Sequence, residues 1–150
     1  MENRLAEFQK EMEQEINQGF SETVIEHAMQ PRNLGAIKDY DGHARYKGPC
    51  GDTMEIWLKV VDGTIEKAHF WTDGCGTSIA SGSMVTELAT GKQLDEAMEI
   101  NQTNVLEALD GLPEESEHCA LLAATTLKLA IADYLECRKE PWRKTYRRAP

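Results

Sequence analysis

Three of the four cysteines stand where the chain is set to change direction. Cys50 lies in "GPCGD", Cys75 in "DGCGT" and Cys119 in "EHCAL", beside His118. Ends of elements and loop tips are where binding chemistry concentrates. The glycines around Cys50 and Cys75 let the backbone wrap closely around a bound group. Asp52 follows Cys50 by two positions. Gathered at one end of a small sheet, Cys50, Asp52, Cys75, His118 and Cys119 offer three sulfurs, a carboxylate and an imidazole. That donor set suits zinc in a closed tetrahedral site, or an iron–sulfur cluster.

Cys75 and Cys119 are both expected at helix starts. The helix dipole and the free N–H groups there lower a thiol's pKa and favour the thiolate, the form that binds metal. Taken singly, each cysteine reads as a small buried hydrophobe, so the argument rests on the three together. The spacing argues against a zinc ribbon. There is no Cys-x-x-Cys pair, and the successive cysteines are 25 and 44 residues apart. A chain with its own apolar core does not need metal to fold, so the site reads as one that loads and unloads. A nucleophilic enzyme built on Cys119 is the rival reading. His118 makes a poor base for it, because helix neighbours i and i+1 point about 100° apart. That reading also leaves Cys50, Asp52 and Cys75 idle. The expectation is binding and assembly, not an enzyme.

The elements that must position these groups follow from apolar spacing. Leu5, Phe8, Met12 and Ile16 mark an amphipathic helix ending near Gly19. Ser21-Glu22-Thr23-Val24 caps a second helix, which Pro31 ends. Residues 31–43 read as loop. "TMEIWLKVV" at 53–61 alternates, Asp62-Gly63 is a hairpin turn, and "TIEKAHFWT" returns. "HARYK" at 43–47 is a weaker third strand. Residues 77–91 are helical and rich in small side chains. Two short helices follow, then a long one from about Glu115 to Cys137 with Ala120, Ala123, Ala124, Leu127, Ala130, Ile131 and Tyr134 inward. Strands followed by helices predict an α+β fold: a small antiparallel three-stranded sheet with helices packed on it.

The chain has 150 residues and a net charge of −10. It suits one domain and repels nucleic acid and anionic lipid. Residues 138–150 nevertheless carry six Lys or Arg against one Glu. Trp142 and Tyr146 in that tail have i,i+4 spacing, which suggests a short helix docking on the acidic body or on a partner protein, the former favoured. No run of about 18 uncharged apolar residues occurs, and the first residues lack a signal core. A cytoplasmic protein with no membrane contact is expected. The division is an N-terminal helical extension at 1–19, a domain at 20–137 and a basic tail at 138–150. Cys137, His27, His43 and His69 read as packing or surface residues, His43 being the one near enough to Cys50 in sequence to fold over it.

"PRNLG" at 31–35, "CGD" at 50–52, "DGCGTSIASGS" at 73–83, "HC" at 118–119 and "LAIADY" at 129–134 occur in one order and spacing. Together they resemble the IscU/NifU-type iron–sulfur cluster scaffold proteins over roughly residues 20–137. The resemblance implies that Cys50, Cys75 and Cys119 are thiolate ligands and that Asp52 keeps the cluster exchangeable. It also makes His118 a fourth or alternative ligand and Cys119 the persulfide acceptor. It implies a cysteine desulfurase (IscS/NifS-like) as sulfur donor, acceptor apoproteins, a 2Fe–2S or 4Fe–4S cluster with the former favoured, and a possible homodimer. The alternative is a zinc-binding or sulfur-acceptor protein without iron. Leu112-Pro113-Glu114-Glu115-Ser116 replaces the Leu-Pro-Pro-Val-Lys of members served by a chaperone pair, which argues against chaperone-assisted release. The interval from Cys75 to Cys119 lacks the insertion of the zinc-binding SufU branch.

Overall fold

The computed structural model describes residues 19–140, together with residues 4, 6, 7 and 10. The Leu5/Phe8/Met12/Ile16 stripe and the tail residues Trp142 and Tyr146 lie outside the described residues. Strands β1 (Gly42–Lys47), β2 (Thr53–Val61) and β3 (Thr64–Thr72) form one antiparallel sheet in the order β1-β2-β3. On β2, Met54, Ile56 and Leu58 are fully buried on one face, while Glu55, Trp57 and Lys59 stand half-buried on the other. This is the period-2 pattern of a sheet covered on one side. Asp62 and Gly63 both have positive φ, 52° and 75°. That geometry matches a type I′ turn, whose twist suits the flanking strands. A register shift between Lys59 and Val60 interrupts the alternation, and Val60 is only half-buried.

The helices are α1 (Glu22–Met29), α2 (Gly76–Ala89), α3 (Leu94–Met98), α4 (Gln102–Ala108) and α5 (Glu117–Lys139), with a 3₁₀ turn at Glu114–Ser116. α5 packs across β1 and β2, α2 packs on β3, and α1 packs on α2. The six expected inward residues of α5 from Ala120 to Ile131 are buried, and Tyr134 is half-buried. Leu122 and Thr126 are buried as well, Leu122 beside the turn at Gly48. By length and composition α5 is apolar enough to cross a membrane. Here those apolar residues form the centre of the core.

α2 has no polar face. Ser78, Ser81, Ser83 and Thr86 are fully buried. Ser81 donates to the Thr77 carbonyl at 2.8 Å and Thr86 to the Ser83 carbonyl at 2.8 Å, so those hydroxyls are satisfied within the helix. Small side chains let α2 lie close on the sheet. At Gly82 any Cβ would overlap the Phe70 ring. His27 is a packing residue: its Nδ1 lies 2.7 Å from the Ser83 hydroxyl and ties α1 to α2. Burial first, then the Arg32 guanidinium, holds its ring below the usual imidazole range.

The 31–43 segment is more than loop. The Gly35 N–H donates to the Phe70 carbonyl and the Phe70 N–H to the Asn33 carbonyl, both at 2.9 Å. Leu34 thereby forms a one-residue parallel bridge that covers the outer edge of β3.

Candidate metal centre

The two cysteine loops are fixed where β2 begins and β3 ends. Thr53 N–H donates to Asp73 Oδ1 at 2.8 Å, and the Thr72 hydroxyl donates to the Thr53 carbonyl at 2.7 Å. Between β1 and β2 the chain turns tightly, with the Gly51 N–H on the Gly48 carbonyl at 3.0 Å and the Gly48 N–H on the Asp52 carbonyl at 2.9 Å. Cys50 is presented, exposed, at the tip of that turn. Gly74 leaves room that a side chain would take: a Cβ there would sit 2.5 Å from Ser78 Oγ and 2.8 Å from Asp52 Oδ2. Cys75, also exposed, occupies the N-cap position of α2. His118 and Cys119 lie in the first turn of α5.

The five donors come together as two overlapping groups. The ligand atoms of Cys50, Asp52 and His118 lie within 4.8 Å of one another, and so do those of Asp52, Cys75 and Cys119. Asp52 belongs to both. Its Oδ2 accepts from the Ser78 hydroxyl at 3.0 Å. An apolar pocket of about 150 Å³, with Tyr46, Pro49, Leu121 and Leu122 in its wall, borders Cys50 and His118.

Two expectations need correction. Both helix-start thiols were expected to be held toward the thiolate, but only Cys75 is shifted that way. Its burial opposes ionisation, yet hydrogen bonds from the Thr77 hydroxyl and from the Ser78 and Thr77 N–H groups outweigh it, and the thiol is held below its ordinary value. Cys119 is 1% exposed. Burial pushes its thiol up, beyond what hydrogen bonds from Ser78 and Thr77 restore, and neighbouring Cys75 and Asp52 add to the rise. The second correction concerns His118. Its ring does not diverge from Cys119: Nε2 lies 3.7 Å from Sγ.

Thr77 and Ser78 also belong to the cluster around the sulfurs and were not expected from the sequence. Thr77 Oγ1 lies 3.0 Å from Cys75 Sγ and 3.4 Å from Cys119 Sγ, and the Ser78 hydroxyl is 3.4 Å from Cys119 Sγ. Their signal was position: two and three residues after a capping cysteine, on the first turn of α2. The other candidates lie elsewhere. Cys137 is 18 residues along α5 from Cys119, about 27 Å, with Sγ 4.0 Å from Asp133 Oδ1. His43 packs on the open sheet face between Tyr40 and Trp57, and His69 stands opposite Trp57 on β3.

The NifU-like N terminal domain family matches residues 19–141. Iron-sulfur cluster assembly scaffold protein IscU 1 of Archaeoglobus fulgidus is 47% identical over 116 residues, 77% of this chain and 76% of its own length. IscU of Escherichia coli K12 is 46% identical over 125 residues, 80% of this chain and 97% of its own. Among solved structures, an N-terminal NifU-like protein from Brucella abortus superposes with a TM-score of 0.62 at 20% identity, over 77% of this chain and 94% of that one. A candidate SUF-system scaffold from Fervidobacterium islandicum AW-1 gives 0.65 at 22% identity, over 75% and 96%. At these identities the two structures speak to the fold alone. They share the sheet-and-helix architecture described above.

Proposed function

This chain belongs to the NifU-like N-terminal domain family, and we propose that it is an iron–sulfur cluster assembly scaffold whose cargo is built on Cys50, Cys75 and Cys119, with Asp52 and His118 completing or exchanging the remaining position. The observation that carries this reading is the pair of donor groups joined through Asp52. Thiolates are the soft ligands that iron–sulfur clusters take, and a carboxylate or neutral imidazole is a weaker partner. A site with three sulfurs and one such partner holds its cargo and can also give it up.

The protein's own groups divide the work. Cys75, exposed and held toward the thiolate by the first turn of α2, is ready to take iron. Cys119 sits deeper, under the Thr77 and Ser78 hydroxyls. For Cys119 to accept a persulfide sulfur from a cysteine desulfurase, its sulfur must be uncovered, and the neighbouring His118 side chain is the exposed group that can swing aside. The product is then released to acceptor apoproteins. Nothing in this scheme turns over a small substrate, and the proposed setting is cytoplasmic. A zinc-holding form uses the same donors.

The test is anaerobic reconstitution with ferrous iron, a sulfide source and a desulfurase, followed by visible absorption and by counts of iron, sulfide and zinc per chain. Charge-transfer bands with matched iron and sulfide, lost in Cys50→Ser, Cys75→Ser and Cys119→Ser, are expected, and the ratio reports the cluster type. Zinc uptake with no iron under these conditions refutes the scaffold reading.

A further inference from the structure

At the end of the sheet opposite the cysteines, a groove of about 470 Å³ opens between the β2–β3 turn, α3 and the last turns of α5. Leu94, Met98 and Leu135 line it with apolar surface. Asp62 and Asp95 add two carboxylates, and Arg138 one cation. Met98 is 37% exposed and Val61, just before the turn, 47%. The walls are held by the backbone. Leu94 N–H donates to the Gly63 carbonyl at 3.1 Å, Ile65 N–H to the Lys92 carbonyl at 2.9 Å, and Gly91 N–H to the Ile65 carbonyl at 2.8 Å. The groove therefore exists before anything fills it.

The chain delivers an occupant to its edge. α5 lines the groove with Leu135 and Arg138 and ends at Lys139. Proline at 141 has no N–H with which to continue a helix. The ten residues that follow Glu140 are "PWRKTYRRAP": two aromatics, four cations and no acid. Trp142 is four residues beyond Arg138, a reach of up to about 14 Å. Of the charged side chains that line the groove, the two carboxylates of Asp62 and Asp95 outnumber the one cation, Arg138. A tryptophan suits such a place, with a large apolar body and one N–H to satisfy.

We propose that residues 141–150 dock back on this groove. Trp142 seats against Leu94, Met98 and Leu135, and the cations after it pair with Asp62 and Asp95. The tail clasps the end of α5 to the hairpin turn and leaves the cysteine end uncovered. This function is independent of the scaffold reading.

The test uses the full chain labelled with ¹³C at methionine methyl groups, a chain ending at Glu140, Trp142→Leu and Met98→Lys. Met98 is partly exposed, so its substitution leaves the core intact. The Met98 methyl resonance should be displaced by the Trp142 ring in the full chain and move to one common position in the truncated chain and in Trp142→Leu. Trypsin should cut after Arg143 about tenfold more slowly in the full chain than in a free peptide of the same sequence, and Met98→Lys should restore the fast rate. An unmoved Met98 resonance on tail removal, or cleavage at the peptide rate, overturns the proposal. Protection that grows with protein concentration also overturns it, in favour of the tail of a second copy.

Discussion

Asp52→Ala should destabilise the empty protein and stabilise the loaded one. In the empty protein the Asp52 carboxylate accepts from the Ser78 hydroxyl at 3.0 Å and is half-buried. A hydrogen bond to a charged group contributes about 1.5–3 kcal/mol, and half exposure reduces this to about 1 kcal/mol. In a domain of this length that lowers Tm by about 2–4 °C. The loaded protein should respond in the other direction. Asp52 lies within 4.8 Å of the ligand atoms of all four other donors, so it can displace any of them during release. If that assistance is also about 1 kcal/mol, cluster half-life rises about fivefold in the variant. The assay is decay of visible absorption of reconstituted protein in the presence of an apoferredoxin-type acceptor, beside thermal melts of the empty forms. Release at the wild-type rate or faster refutes the exchange role. A raised Tm in the empty variant refutes the supporting hydrogen bond.

Other perturbations report on single features. Iodoacetamide should label Cys75 at least about tenfold faster than Cys119 at pH 7, since reactivity follows thiolate fraction and exposure; equal rates would mean the first turn of α5 opens freely. Because the Cys119 thiol is held above its ordinary value, its neutral form contributes stability that is complete below that ordinary value and is lost as pH rises through the raised one. The Tm of the empty wild type should therefore fall more steeply above about pH 9 than that of Cys119→Ala. Gly82→Ala forces a methyl into the Phe70 ring and should cost about 1–3 kcal/mol without changing metal stoichiometry, as read by chemical denaturation. Ser21→Ala removes both the cap on the Val24 N–H and a bond to the Leu109 carbonyl. It should cost about 1 kcal/mol, and an unchanged midpoint would show the cap to be dispensable.

The legible parts of this protein were those governed by local rules. The alternation of Met54, Ile56 and Leu58 and the Asp62-Gly63 pair determine the hairpin by themselves, and the apolar spacing of α5 fixes its buried face. The five groups that the structure brings together were legible as residue types at element ends. What stayed hidden depended on distant packing. Leu34 bridges Phe70 through a single residue, too short to leave a periodic signal. The raised Cys119 thiol is set by how much of the chain covers it, which no helix-start rule contains. Thr77 and Ser78 became visible only when α2 and α5 met, because hydroxyls on a helix usually satisfy their own backbone, as Ser81 and Thr86 do.

The donors also come from three separate stretches, at 50–52, 75–78 and 118–119. The last of these rides on the final helix of the sheet domain. A chain emerging from the ribosome offers Cys50, Asp52 and Cys75 long before Cys119 exists in place. Since no two of the cysteines are close neighbours in sequence, an unfolded chain gathers them only by closing long loops. Tight capture of cargo thus becomes a reading of completed folding. On the proposed donor set, an unfinished or misassembled copy would hold its cargo weakly.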